Sequence, residues 1–232
     1  MKNKPQLLLL HGALGSKKQF SNLKPLLEEK FELFQLDFDG HGDGKDTKHF
    51  SIELFTENLR AFLFENELKA INIFGYSMGG YVALNLAIKH PELVNKIVTL
   101  GTKFDWNLDS AKKEASMLVP QVLEEKVPLF AEKLKNEHPT KDWKDLVHQT
   151  AKMMLRMGNG ETIQHEDLRK LSCDVVVGLG SKDRMVSKEE SEQLIELLAN
   201  SQFVELENIP HPIDQIAPEI VASYIFEAFE LK

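Results

Sequence analysis

The sequence predicts an α/β fold: a doubly wound, mostly parallel sheet of about six strands with an all-helical cap inserted into it. Three observations carry this. Six short apolar runs recur along the 232 residues. Stretches of helical period separate most of them, as the crossovers between parallel strands buried on both faces require. One long interval, 105–166, has helical period but no convincing strand.

The elements follow in order. The chain opens MKNKPQLLLLHG. Lysines followed by leucines resemble a secretion signal, but Leu7 to Leu10 supply four apolar residues where roughly 7–15 are needed, and no small-residue cleavage site follows. Residues 6–10 are therefore read as the first buried strand. FELFQL (31–36) is the second. Ser51 suits an N-cap for the helix 51–68, whose apolar positions 52, 54, 55, 59, 62 and 63 form one face. INIFG (71–75) is the third strand and 78–89 its following helix. KIVTLG (96–101) is the fourth. The cap comes next, with helical segments at 109–118, 121–136 and 141–157. DVVVGLG (174–180), a helix over 188–199 and QFVELE (202–207) complete the pattern. The expected division is a core of 1–104 and 167–232 around a cap of 105–166.

Composition narrows the partners. A net charge of −8 argues against nucleic acid, which needs a basic face. No run approaches the ~20 apolar residues of a membrane span. Cys173 is the single cysteine, so no internal disulfide can form and the expected compartment is the cytoplasm. Without metal-ligand spacing around it, Cys173 reads as a small buried hydrophobe.

In an open parallel sheet, function collects at the carboxyl ends of the strands. The segments found there are HGALGS (11–16), DFDGHGDG (37–44), GYSMGG (75–80), GSKDRMVS (180–187) and NIPHPIDQ (208–215). They contain Ser77, Asp183 and His211. A strand turning sharply into a helix strains its apex residue and crowds its neighbours, hence Gly75 and Gly79 on either side of Ser77. The same turn sets Ser77 and the Met78 N–H at a helix N-terminus, where negative charge is favoured. A hydroxyl needs an adjacent base to act as a nucleophile. His211 is the candidate base and Asp183 the group that orients it. The backbone N–H groups of Met78 and Ala13 are the candidate oxyanion hole, each such donor being worth about 10²–10³ in rate.

Blander readings stand beside these. Ser77 could be a turn residue and Asp183 a cap for the helix near 187–199. Among the other histidines, His90, His138, His148 and His165 read as solvent-facing or packing residues, His11 as structural, and His41 and His49 as part of or next to the DFDGHGDG loop. Asp37, Asp39 and Gly42 match the first, third and sixth positions of a calcium loop. His41 and Lys48 then fall where ligands are needed, so a turn bonded through Asp37 is expected, and no metal. Met117, Met153, Met154 and Met157 read first as cap core and, functionally, as the wall of an acyl pocket. Leu14 and Tyr76, beside the candidate donor and nucleophile, are assigned to the same wall. Trp106 and Trp143 bracket the cap as anchors or pocket residues.

The elbow Gly75-Tyr76-Ser77-Met78-Gly79, the order Ser…Asp…His, the His11-Gly12 loop and the Asp-x-x-Gly-His-Gly turn inside DFDGHGDG together resemble the α/β-hydrolase family, over nearly the whole chain. The insertion 105–166 lies where that family carries its cap. The resemblance implies a serine hydrolase acting on a small to medium acyl ester or thioester without a cofactor. It also leaves room for a C–C bond hydrolase, a lyase or a perhydrolase, and for a non-catalytic small-molecule receptor on the same fold. The chain departs from the family at Pro210-His211-Pro212, where Gly-His is common, and in lacking two antiparallel strands before residue 11. Some members take the acid from the preceding strand, which makes Asp105 a second candidate.

Overall fold

The computed structural model describes residues 4–230. In chain order the elements are β1 Gln6–Leu10, α1 Lys24–Glu28, β2 Glu32–Leu36, α2 Ile52–Glu65, β3 Ile71–Tyr76, α3 Met78–Lys89, β4 Val94–Leu100, α4 Leu108–Ser116, α5 Pro120–Lys126, α6 Pro128–Glu137, α7 Trp143–Gly158, α8 His165–Leu168, β5 Asp174–Gly180, α9 Lys188–Leu197, β6 Ser201–Leu206 and α10 Pro218–Ala228. Residues 1–3 and 231–232, assigned above to the ends of the core, lie outside the described residues.

The six strands form one sheet in the order β2-β1-β3-β4-β5-β6, and every pair is parallel. Side chains alternate across a strand, and the two faces are filled separately. Leu8, Leu10, Ile73, Ile97, Val175 and Val177 pack with α2, α3, α9 and the cap. Leu7, Leu9, Phe74, Val98 and Val176 pack with α1 and α10 on the other face. The edge strands β2 and β6 are only half-buried. The chain leaves β1 for β2 on one side and returns past β1 to β3 on the other. The carboxyl ends of β1 and β3 therefore flank the switch point, where such sheets open a crevice.

Local chemistry explains most boundaries. Ser51 caps α2 by accepting from the Leu54 N–H at 3.0 Å. Nearly all of α3 is buried, because it lies between the sheet and α2 rather than on the surface. The segment expected at 121–136 is instead two helices, α5 and α6. Pro128 has no N–H and drives Val127 out of the helical region, to φ −138° and ψ 58°. The helices α1 and α10 lie where sequence periodicity assigned none, and α8 crosses the expected cap boundary at 166. Among the described residues no helix is long and apolar enough to cross a membrane.

Candidate active site

Ser77 sits between β3 and α3 with φ 51° and ψ −117°, a strained backbone for a residue with a side chain. The surroundings hold it there. Its N–H donates to the Leu100 carbonyl at 2.9 Å, and its carbonyl accepts from the Thr102 hydroxyl at 2.9 Å. The flanking glycines are required by close approach: a Cβ on Gly75 would fall 2.4 Å from the Gly80 backbone, and one on Gly79 2.2 Å from the Leu10 carbonyl oxygen.

From the far side of β4, the loops after β5 and β6 bring Asp183 and His211 together. His211 Nδ1 and Asp183 Oδ2 are 2.7 Å apart. The other carboxylate oxygen accepts from the N–H groups of Met185 and Val186 at 2.8 and 2.9 Å, so the Asp183 side chain is fixed and buried. Asp183 does not cap α9; Ser187 does, accepting from the Glu190 N–H at 3.1 Å. Gly101, at φ 64° after β4, leaves space for the pair. A Cβ there would lie 3.2 Å from both Asp183 Oδ2 and His211 Nδ1.

Two prolines beside His211 remove backbone donors, and Tyr76 supplies the missing anchor. Its hydroxyl donates to the His211 carbonyl at 2.9 Å and accepts from the Ile213 N–H at 3.4 Å. Burial raises this phenol well above its ordinary pKa. Tyr76 thus holds the histidine loop.

The loop after β1 carries Ala13. The Gly12 N–H donates to Gln19 Oε1 at 3.0 Å. His11 Nε2 accepts from the Phe38 N–H at 3.2 Å, so Nδ1 carries the proton and donates to the Gly12 carbonyl at 2.9 Å. Neither the Ala13 N–H nor the Met78 N–H donates to another group among the described residues; Met78, opening α3, lacks an intrahelical acceptor.

His138, expected only as a solvent-facing or packing residue of the cap, bridges both loops. Its Nδ1 accepts from the Gly42 N–H at 2.8 Å, and its Nε2–H donates to the Leu14 carbonyl at 2.9 Å. His11, His41 and His138 form a buried row, with ring centroids 5.1 and 6.1 Å apart. Burial lowers the pKa of all three, His11 to about 4.

A cavity of about 330 Å³ opens between these loops and the cap. Ser77, Met78, Ala13 and His211 line it, and so do Leu14, Tyr76, Met117, Met153, Met154 and Met157. Met153 and Met157 belong at the same time to the main core. Further wall comes from Tyr81, Trp106, Leu123, Phe130 and Ile52, with Gln19, Lys103 and Lys133 as polar members.

Other candidates fall elsewhere. The Asp105 carboxylate accepts from the Asn107 side chain at 3.1 and 3.3 Å and does not line this cavity. Asp37 accepts from the N–H groups of Lys17 and Asp43, the bonded turn expected of that loop. Burial pushes the Cys173 thiol up to about 11, which keeps it protonated. Trp143 is buried in the core, with Lys135 Nζ and Lys144 Nζ each 5.5 Å from its ring centroid. Among the described residues no group of three or more His, Cys, Asp or Glu is arranged to hold a metal ion.

Sheet order, elbow and insertion point define an α/β hydrolase, and the chain belongs to that family. The model for the alpha/beta hydrolase fold matches residues 5–158. The "Uncharacterized hydrolase YugF" of Bacillus subtilis is 24% identical, over 94% of this chain and 88% of that protein. A "Probable alcohol acetyltransferase" of Wickerhamomyces anomalus is 25% identical over 66% of this chain, which spans only 43% of that relative's length. The crystal structure of NosK from Streptomyces actuosus superposes with a TM-score of 0.82 at 20% identity, covering 98% of each chain; that likeness speaks to the fold.

Proposed function

We propose that this α/β hydrolase cleaves a small to medium acyl ester or thioester through an acyl-enzyme on Ser77. The observation that carries the reading is the 2.7 Å contact between His211 Nδ1 and Asp183 Oδ2, beside a cavity that His211 and Ser77 both line. With Nδ1–H donated to the carboxylate, Nε2 keeps its lone pair and can receive the Ser77 proton. The Ser77 oxygen attacks the acyl carbon, and the carbonyl oxygen takes up the negative charge. Ala13 and Met78 N–H groups are the donors for that oxyanion. Collapse breaks the bond to the leaving group, which departs with the proton from His211. Water then gives a proton to His211 and attacks the acyl-enzyme; the acyl–oxygen bond to Ser77 breaks, His211 returns the proton to the Ser77 oxygen, and the acid leaves.

The methionine-rich wall suits an acyl compound with an apolar part. The substrate is a small molecule, and the cytoplasm is the compartment that the single cysteine favours. A second reading is acyl transfer to an alcohol, favoured by the apolar wall together with the acetyltransferase relative; it keeps Ser77, His211 and Asp183 and replaces the attacking water.

A panel of esters and thioesters graded by acyl length, assayed with and without added alcohol, tests both. Ser77→Ala is expected to lower kcat by about 10³–10⁶-fold with the fold retained. Turnover near that of the wild type in Ser77→Ala would remove the mechanism.

A further inference from the structure

A second cavity of about 580 Å³ adjoins the first. It runs between α8, α9 and the strap 102–107. Ile163, Leu168, Leu194 and Leu197 are its aliphatic lining, beside the polar Asp105, Glu166, Glu190, Gln193 and Glu196, and the steps proposed above make no use of it. Two aromatic residues, Tyr81 and Trp106, line both cavities and so form the partition between them.

The partition is pinned. The Tyr81 hydroxyl accepts from the Ile163 N–H at 2.9 Å, and its ring stacks on Phe104 with centroids 5.8 Å apart. The Trp106 indole N–H donates to the Lys103 carbonyl at 3.2 Å. The strap that carries it is tied down by the buried Glu190. One Glu190 oxygen accepts from the Phe104 and Asp105 N–H groups at 2.9 and 3.3 Å, and the other from Lys103 Nζ at 3.2 Å. Tyr81 is part of the core. Trp106 is half-buried, on a strap without regular structure; it packs against the edge of that core, its indole makes one hydrogen bond, and Lys103 Nζ lies 5.9 Å from its ring centroid. Truncating the indole therefore opens the wall while leaving the fully buried core side chains in place.

We propose that Trp106 sets the length of acyl chain the enzyme accepts. The indole ends the catalytic cavity, and its removal joins the two cavities into one channel, in which an acyl chain meets Ile163, Leu168, Leu194 and Leu197. This rests on the acyl-hydrolase reading, so its test has one arm that does not depend on turnover.

In the first arm, kcat/KM is measured for 4-nitrophenyl esters from acetate to palmitate with the wild type, Trp106→Phe, Trp106→Leu and Trp106→Ala. In the second, binding of the corresponding straight-chain carboxylic acids is measured by calorimetry on Ser77→Ala with and without Trp106→Ala. The wild type is expected to favour short to medium chains and to fall off beyond them. Trp106→Ala moves the limit to longer chains, gaining about fourfold for each methylene newly housed. Trp106→Leu moves it less, and Trp106→Phe leaves it in place. Adding Leu197→Trp, which refills the groove, draws the limit back. A folded Trp106→Ala or Trp106→Leu with unshifted chain-length limits in both arms would overturn the proposal, as would a wild type indifferent to chain length. A wild type that hydrolyses no ester while its acid-binding limit still moves with Trp106 would sink the hydrolase reading alone.

Discussion

His211 and the row His11–His41–His138 place the same side chain in two electrostatic settings. His211 faces a cavity and touches a carboxylate at 2.7 Å. The other three are buried, form no hydrogen bond or ion pair with a carboxylate among the described residues, and bond to backbone groups: His11 to Gly12 and Phe38, His41 to Asp39, His138 to Leu14 and Gly42. A carboxylate holding one ring nitrogen orients an imidazole and stabilises the imidazolium that forms when the other nitrogen takes a proton. A histidine that accepts from a backbone N–H loses that bond on protonation, and burial penalises the resulting charge. The difference assigns proton transfer to one and architecture to three, and it shows that residue type is a weaker guide than partner.

The sharpest way to break this comparison is to exchange the expected losses. His211→Ala should lower kcat by about 10³-fold or more while the melting temperature stays close to that of the wild type. Asp183→Asn, which leaves the imidazole without its acceptor, should cost about 10²–10⁴-fold in kcat. Steady-state kinetics beside thermal melts separates both from unfolding.

The buried row should announce itself through pH. An unfolded histidine takes a proton near pH 6.5, whereas folded His11 does so only at about 4. Between those values the unfolded chain binds the proton and the folded chain does not. The stability present above pH 6.5 is therefore lost as pH falls through the window, by about 3 kcal/mol from His11 alone. His41 acts in the same direction. Denaturant melts across that window measure the loss, and a flat profile would contradict the burial argument.

His138→Ala leaves the Leu14 carbonyl and the Gly42 N–H without their partner and should cost about 2–4 kcal/mol. His138→Gln, which can donate and accept, should recover part of it in the same melts. At the small end, Asp105→Asn should leave kcat within about twofold, since among the described residues its carboxylate bonds only to Asn107 side-chain nitrogen.

What could be read in the chain follows from the range of each interaction. The six strands, the helix 78–89 and the insertion follow from local periodicity. The elbow needs only five consecutive residues, and the loops after β1, β5 and β6 are recognisable by their place after apolar runs. Pro128, which splits one expected helix into α5 and α6, acts locally, through its missing N–H and its effect on Val127. Gln19, Gly101, Glu190 and His138 were not legible as site-shaping residues. Each acts through a partner distant in sequence or on another element: Gln19 on Gly12, Gly101 beside Asp183 and His211, Glu190 on the strap 103–105, His138 on Leu14 and Gly42. A lone histidine at the end of a cap helix carries no sign of two loops about a hundred residues away.

The central claim, that His211 activates Ser77 while the other histidines hold the frame, is tested most directly with a fluorophosphonate probe read by intact mass and peptide mapping. A single adduct on Ser77 in the wild type, its loss in His211→Ala, and its retention in folded His138→Gln are the predicted results. Equal labelling of Ser77 with and without His211, or no labelling of the folded wild type, would contradict the account.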